Sequence, residues 1–201
     1  MARLQLSKSA LAHEQKNLRT YERFLPSLDL KRQQLMAERS KAARRLTETR
    51  YEIDEYRKEA GDSIPMLANR DVDLADLARI SNVSLDVENV VGTHLPRLKA
   101  VTVEVRDYPL MGTPFWVDAA AQRLRQMLKL RVRVQVEERR LALLEQAVKT
   151  ITQRVNLFDK VLIPRARQNI KRIQIHLSDM ATAAVVRSKI AKRKRAAMEA
   201  L

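Results

Sequence analysis

The sequence predicts a mainly α-helical fold: a long antiparallel two-helix coiled coil whose centre carries a small insert of one short helix and a β-hairpin. Three observations lead there. A heptad seam runs from Leu4 to Ala60 in one frame. The stretch from Trp116 to Leu201 contains no glycine and one proline, Pro164. All three glycines, at 61, 92 and 112, fall in the middle third, where turns must therefore concentrate.

The first arm occupies residues 1–61. Every seventh residue from Leu4 gives Leu4, Leu11, Leu18, Leu25, Arg32, Arg39, Leu46, Ile53 and Ala60. The companion set is Ser7, Glu14, Tyr21, Leu28, Leu35, Ala42, Thr49 and Tyr56. Twelve of the seventeen are apolar or aromatic, which is the narrow stripe one helix lays against another. At ~1.5 Å per residue such an arm would be about 85 Å long. Pro26 lies inside it and removes one backbone donor, but the seam keeps its frame across the proline, so a kink is expected and not an end. Arg32 and Arg39 sit on the seam and must snorkel or meet a carboxylate, which predicts a looser helix contact between them. Gly61 followed by Pro65 is the expected stop.

The insert spans residues 62–115. A short helix is expected over about 70–80, with acidic residues in its first turn. The period then changes: Val83, Leu85 and Val87 alternate with polar residues, as do Val101, Val103 and Val105. The two runs predict a β-hairpin over about 82–107. Its connection, which holds Gly92 and Pro96, is longer than a tight turn. A lone hairpin is marginal in water, so this one should lean on the long helices or on another chain.

The second arm covers residues 116–201. Its seam reads Leu141, Leu144, Val148, Ile151, Val155, Phe158, Leu162, Ala166, Ile170, Ile173, Leu177, Met180 and Ala184. Steps of three and four alternate until Leu162, then two fours follow around Pro164. One residue is in excess there, a stutter that locally unwinds a supercoil. Leu130 to Val136 alternates like a strand, but no breaker separates it from its helical flanks, so it is assigned to the helix.

Composition sets the function classes. The formal charge of +15 permits nucleic acid, an anionic membrane or an acidic protein cavity as partner. There is no cysteine, so neither disulfides nor thiolate metal sites arise, and a reducing compartment fits. No apolar run approaches the ~20 residues of a membrane span, and the N-terminus lacks the apolar block of a signal peptide. A cytoplasmic chain is expected. No Gly-rich phosphate loop is present, and His13, His94 and His176 are scattered. These are expected to be surface histidines. Acidic residues interleave with Arg and Lys as solvated helix faces. No catalytic, cofactor-binding or metal site is expected, and the chain is taken to be no enzyme.

One cluster stands apart. Arg187, Lys189, Lys192, Arg193, Lys194 and Arg195 have only Glu199 as counter-charge. Cations favour a helix C-terminus, so a solvated end is one reading. Insertion into something acidic is the other. No aromatic residue lies in the cluster, which disfavours stacking on single-stranded bases. A basic coiled-coil protein binding nucleic acid or ribosomes is the main rival from composition alone. A membrane-surface scaffold ranks below it, because the apolar stripe is narrow and charges of both signs surround it.

Three blocks carry a resemblance: YERFLPSLDLKRQQLMAER at 21–39, RVNLFDKVLIPRARQNIKRI at 154–173 and TAAVVRSKIAK at 182–192, with LSKSAL at 6–11. Together they resemble the D subunit of the V-type and archaeal-type (V/A-type) rotary ATPases, in its bacterial form without the C-terminal extension of eukaryotic members. Residues 62–115 match mainly in kind. The resemblance implies a central-stalk rotor, an axle coupling ATP hydrolysis or synthesis in a catalytic hexamer to rotation of a proton- or sodium-translocating membrane ring. It implies as partners the catalytic and nucleotide-binding subunits of the hexamer, the F subunit and the funnel-shaped subunit capping the ring. It implies no cofactor, no nucleic acid and no direct membrane insertion. The chain would sit at the inner face of the membrane through the complex. On that reading Lys189, Lys192, Arg193, Lys194 and Arg195 would meet the hexamer cavity. Val83, Leu85, Val87, Val101, Val103 and Val105 would form a hairpin contact with the F subunit or a regulator. Kinks at Pro26 and Pro164 would give the axle unequal sides.

Overall fold

The computed structural model describes residues 5–64, 66, 74, 76–109 and 112–199. In chain order these form helix α1 (Lys8–Ser63), strands β1 (Ala78–Val90) and β2 (Thr93–Val105), helix α2 (Trp116–Leu157), a π-helical turn (Phe158–Leu162) and helix α3 (Ile163–Glu199). No described helix is long and apolar enough to cross a membrane. The chain divides into two compact units, one of Met1–Leu30 with Ile151–Leu201 and one of Lys31–Thr150.

Helix α1 starts where its sequence supplies a cap. The Ser7 hydroxyl accepts from the Ala10 amide at 3.2 Å, satisfying one of the orphan donors of the first turn. The helix then runs unbroken through Pro26. It also runs past Gly61, the predicted stop, and ends at Ser63; the Ile64 amide still donates to the Ala60 carbonyl, at 3.1 Å. Glycine permits a stop without imposing one.

The seam governs burial along the arm. From Ser7 to Ala60 every seam position is buried or half-buried except Arg39. The expected looseness between Arg32 and Arg39 is not found at Leu35, which is 4% exposed. Only Arg39 turns to solvent, and the leucine one helical turn before it fills the contact.

In the first unit α1 faces α3 antiparallel. Arg167 donates to Glu22 at 2.8 Å, Asn169 to Glu14 at 3.3 Å, and the Tyr21 ring meets Phe158 edge-on at 5.5 Å. The π-helical turn falls where the second seam has one residue in excess. A π turn closes i→i+5 bonds and absorbs one extra residue, as Ile163 shows by donating its amide to the Phe158 carbonyl. Pro164 follows directly, and a widened turn also relieves the clash its ring makes with the preceding carbonyls. Burial on the second seam persists to Leu177, then Met180 and Ala184 are exposed, against the expected continuation. Since Asn169 lies opposite Glu14, about eight residues further on the facing helix has reached its first turn, and no further helix faces α3 among the described residues.

In the second unit α1 faces α2, again antiparallel, with Arg50–Glu138 at 2.6 Å, Arg133–Glu52 at 3.5 Å and Arg123–Glu59 at 3.2 Å. Leu130 to Val136 is helical, with Leu130 and Val132 buried. Where the insert meets the helices a small core gathers Ile64, Leu77, Trp116, Val117, Ala120 and Ala121, with Leu74, Val105, Tyr108 and Leu124 against it. The Tyr108 hydroxyl donates to Asp118, which raises the phenol's pKa above its ordinary value.

Two expectations for the insert change. Residues 70–73 and 75 of the expected short helix lie outside the described residues, and Ala78 to Ile80, expected to close it, open β1 instead. Their pairing with Val103 to Val105 supplies the backbone bonds a helix would have supplied. The hairpin connection is also tight. Val90 pairs with Thr93, leaving a two-residue turn of Val91 and Gly92. Pro96 lies within β2, which a two-stranded sheet tolerates because each strand has one free edge.

Both turn residues have positive φ, 53° at Val91 and 83° at Gly92, and the Gly92 amide donates to the Asn89 side chain at 2.9 Å. A β-branched residue at positive φ costs of order 1–3 kcal/mol. Val91→Asn, the residue such turns prefer, should therefore stabilise the chain by about 0.5–1 kcal/mol in urea unfolding, and a loss of stability would show that the valine is not strained.

Candidate partner-binding surfaces

The basic tail is the last part of α3. From Ser178 to Ala196 every residue is exposed, including Lys189, Lys192, Arg193, Lys194 and Arg195. Among the described residues the cations therefore lie on a helix stretch with no packed neighbour. The same stretch also exposes apolar side chains: Met180, Val185, Val186 and Ile190 are each half-exposed or more. Sequence reasoning misses these, because Met180 and Ala184 continue a seam that has no facing helix here. Such a helix presents both charge and apolar area to whatever surrounds it.

The hairpin divides the six residues singled out on it. Val83, Leu85 and Val87 on β1 are 38%, 53% and 66% exposed. On β2, Val101 and Val105 are half-buried and Val103 is 3% exposed. Val105 packs on the chain's own small core. The outward apolar stripe therefore belongs to β1, and β2 is largely committed to the fold. Register shifts between Ile80 and Asn82, and between Ser84 and Leu85, separate the two behaviours by re-aiming side chains.

Two anchors hold the other side of the hairpin. Leu95 is fully buried, and its cross-strand partner Glu88 accepts from Arg140 of α2 at 2.8 Å. The Arg140 side chain is 11% exposed. That hydrogen bond and charge, with Arg97 and Arg45 near, hold the Glu88 carboxyl below its ordinary pKa. It stays ionised through neutral and mildly acid pH, and the attraction is lost as pH falls through that lowered value. Neither anchor is legible in the sequence: Leu95 falls in the expected connection, and Glu88 has no visible partner at a distance of 52 residues.

The remaining groups with chemical potential are dispersed. His13 and His94 are exposed, and His176 is half-buried. His13 Nδ1 lies 3.2 Å from Asn17 Nδ2. Among the described residues no group of three or more His, Asp or Glu is placed to hold a metal ion. In the first unit an open, polar crevice between α1 and α3 is lined by His13, Glu14, Asn17, Asn169 and Arg172 among others. Phe115, beside the buried Trp116, is 83% exposed.

Comparison with known proteins agrees along nearly the whole chain. A sequence model of the ATP synthase D subunit family matches residues 10–193. The chain is 32% identical over 192 residues to the V-type ATP synthase D subunit of Borreliella burgdorferi, covering 96% of this chain and 95% of that one. It is 31% identical over 198 residues to the protein of the same name in Chlamydia muridarum, with 96% of each chain covered. Its counterpart in Chlamydia abortus is 31% identical over 198 residues, with 96% and 94% covered.

Proposed function

The chain belongs to the ATP synthase D subunit family, and on that premise we propose that it is the central-stalk rotor of a V/A-type rotary ATPase, turning within the catalytic hexamer. The observation that carries this is the tail, a helix exposed from Ser178 to Ala196 with five cations from Lys189 to Arg195, while the other described helical stretches pack against a neighbour. An axle tip must be surrounded by other subunits. A helix without a partner of its own, basic and partly apolar, suits a cavity lined by acidic and apolar groups.

The rotor carries no catalytic residue and no cofactor. It transmits torque, and the two-helix packing in each unit supports that role because seam-packed helices resist bending. Proton or sodium flow through the membrane ring is coupled to the state of the hexamer through which face the rotor presents. The F subunit takes the outward β1 stripe of Val83, Leu85 and Val87. The ring-capping subunit meets the insert, where Phe115 offers an apolar contact. The chain binds no nucleic acid and does not itself enter the membrane; it sits at the inner face through the complex. Unequal sides arise at Pro26 and at the π-helical turn before Pro164.

Affinity purification of the full chain, with mass identification of what accompanies it, tests the reading. The catalytic and nucleotide-binding subunits should co-purify. Retention of nucleic acid alone, with a steep salt dependence, would overturn it. The hairpin assignment has its own test. Deleting residues 82–101 should abolish capture of the F subunit, and undiminished capture would move that contact elsewhere.

A further inference from the structure

We propose that the hairpin is a releasable arm, latched onto α2 by Glu88 and sealed by Leu95, so that the charge of one carboxylate sets whether the arm lies docked. Paired residues of an antiparallel ladder point to the same side of the sheet. Glu88 and Leu95 are paired, and Glu88 reaches Arg140, so their common side is the one turned to the helices. Val87 on the neighbouring position is 66% exposed, which places the other side outward.

The latch draws on three separate elements. Arg140 comes from α2, Arg45 from α1 and Arg97 from β2 itself, and all three act on the Glu88 carboxylate. Arg133 is engaged elsewhere, with Glu137 at 3.2 Å and Glu52 at 3.5 Å. A cavity of about 220 Å³ remains, lined by Arg45, Arg97 and Arg140 on one hand and by Pro96, Leu98 and Val136 on the other. It admits water and ions beside the pair, so the latch is screened by salt and is not locked. On β1, Asn82, Val83 and Leu85 to Asn89 are all exposed, and around Leu95 the apolar residues Val90, Val91, Pro96 and Leu98 are only half-buried. A tip with one sealed leucine, a few half-buried apolar residues and one screened ion pair lies at the low-stability end of the molecule. Release would expose Leu95 and free the β1 stripe to turn.

The absence of cysteine makes the test clean. In the full chain, Leu95→Cys supplies a unique buried thiol, and Val87→Cys an exposed control. Maleimide should label the thiol at position 95 far more slowly than the thiol at position 87. Adding Glu88→Gln or Arg140→Gln to Leu95→Cys should speed its labelling by roughly two- to fivefold. Arg140→Lys in the same background keeps the charge and should hold labelling close to the parent rate, which a general loosening of the hairpin would not do. Unchanged labelling in both charge-removing variants overturns the latch. So does labelling in Arg140→Lys as fast as in Arg140→Gln, or a thiol at position 95 that reacts as fast as the control before any charge is altered. The assay contains no other protein, so its outcome is independent of whether the β1 stripe binds the F subunit.

Discussion

Replacing Leu144 with alanine should cost about 2–5 kcal/mol and lower the melting temperature of the full chain by roughly 5–15 °C. Leu144 has no exposed surface. Leu144 lies on the second seam, and the Arg50–Glu138 bridge sets the antiparallel register that brings this height of α2 alongside Ala42 and Leu46, each 6% exposed. Removing most of the side chain there leaves a void between two helices that have few other layers to close it, since the seam is one residue wide. The comparison that gives the figure meaning is Arg50→Ala. That change breaks the 2.6 Å bridge to Glu138, but both partners are about half-exposed, and surface pairs of this kind contribute about 0–1 kcal/mol. Circular dichroism during heating measures both. A loss at Leu144 no larger than the loss at Arg50 would mean that the helices are not held by the seam.

That ordering follows from what is legible in the sequence. Apolar residues at heptad spacing carry their own partner rule, and burial obeys it from Ser7 to Ala60 and from Leu141 to Leu177, with Arg39 the one exception. Even the surplus residue near Pro164 is visible as an unbroken run of three steps of four, from Phe158 to Ile170, and a π-helical turn absorbs it. The insert is less legible because its determinants are not periodic. Val91 is a poor residue for a two-residue turn, so nothing in the sequence marks the connection as tight. Pro96 argues against a strand that exists because its edge is free. The Glu88–Arg140 bridge joins elements that only tertiary structure brings together. For the surfaces, charge at the tail is plain in composition. The apolar residues beside it are hidden within a seam pattern, and only the end of the facing helix shows that they are bare.

The tail thus offers two kinds of contact, and a single variant separates them. Replacing Lys189, Lys192, Arg193, Lys194 and Arg195 with glutamine removes five charges and preserves helix propensity, since Gln, Lys and Arg rank together. Exposed charges contribute about 0.3–1 kcal/mol each against acidic partners, so the set should weaken assembly with the catalytic hexamer about 10- to 5000-fold. Coupled ATPase activity should fall with it. The salt dependence is diagnostic: assembly of the parent should weaken as ionic strength rises, whereas assembly of the variant should be nearly flat. Far-ultraviolet circular dichroism must show equal helix content in the two proteins for the comparison to hold. Unchanged assembly and coupling, with the parent itself insensitive to salt, would overturn the electrostatic contact. The interaction would then pass to Met180, Val185, Val186 and Ile190, whose exposure is otherwise a cost to an isolated helix.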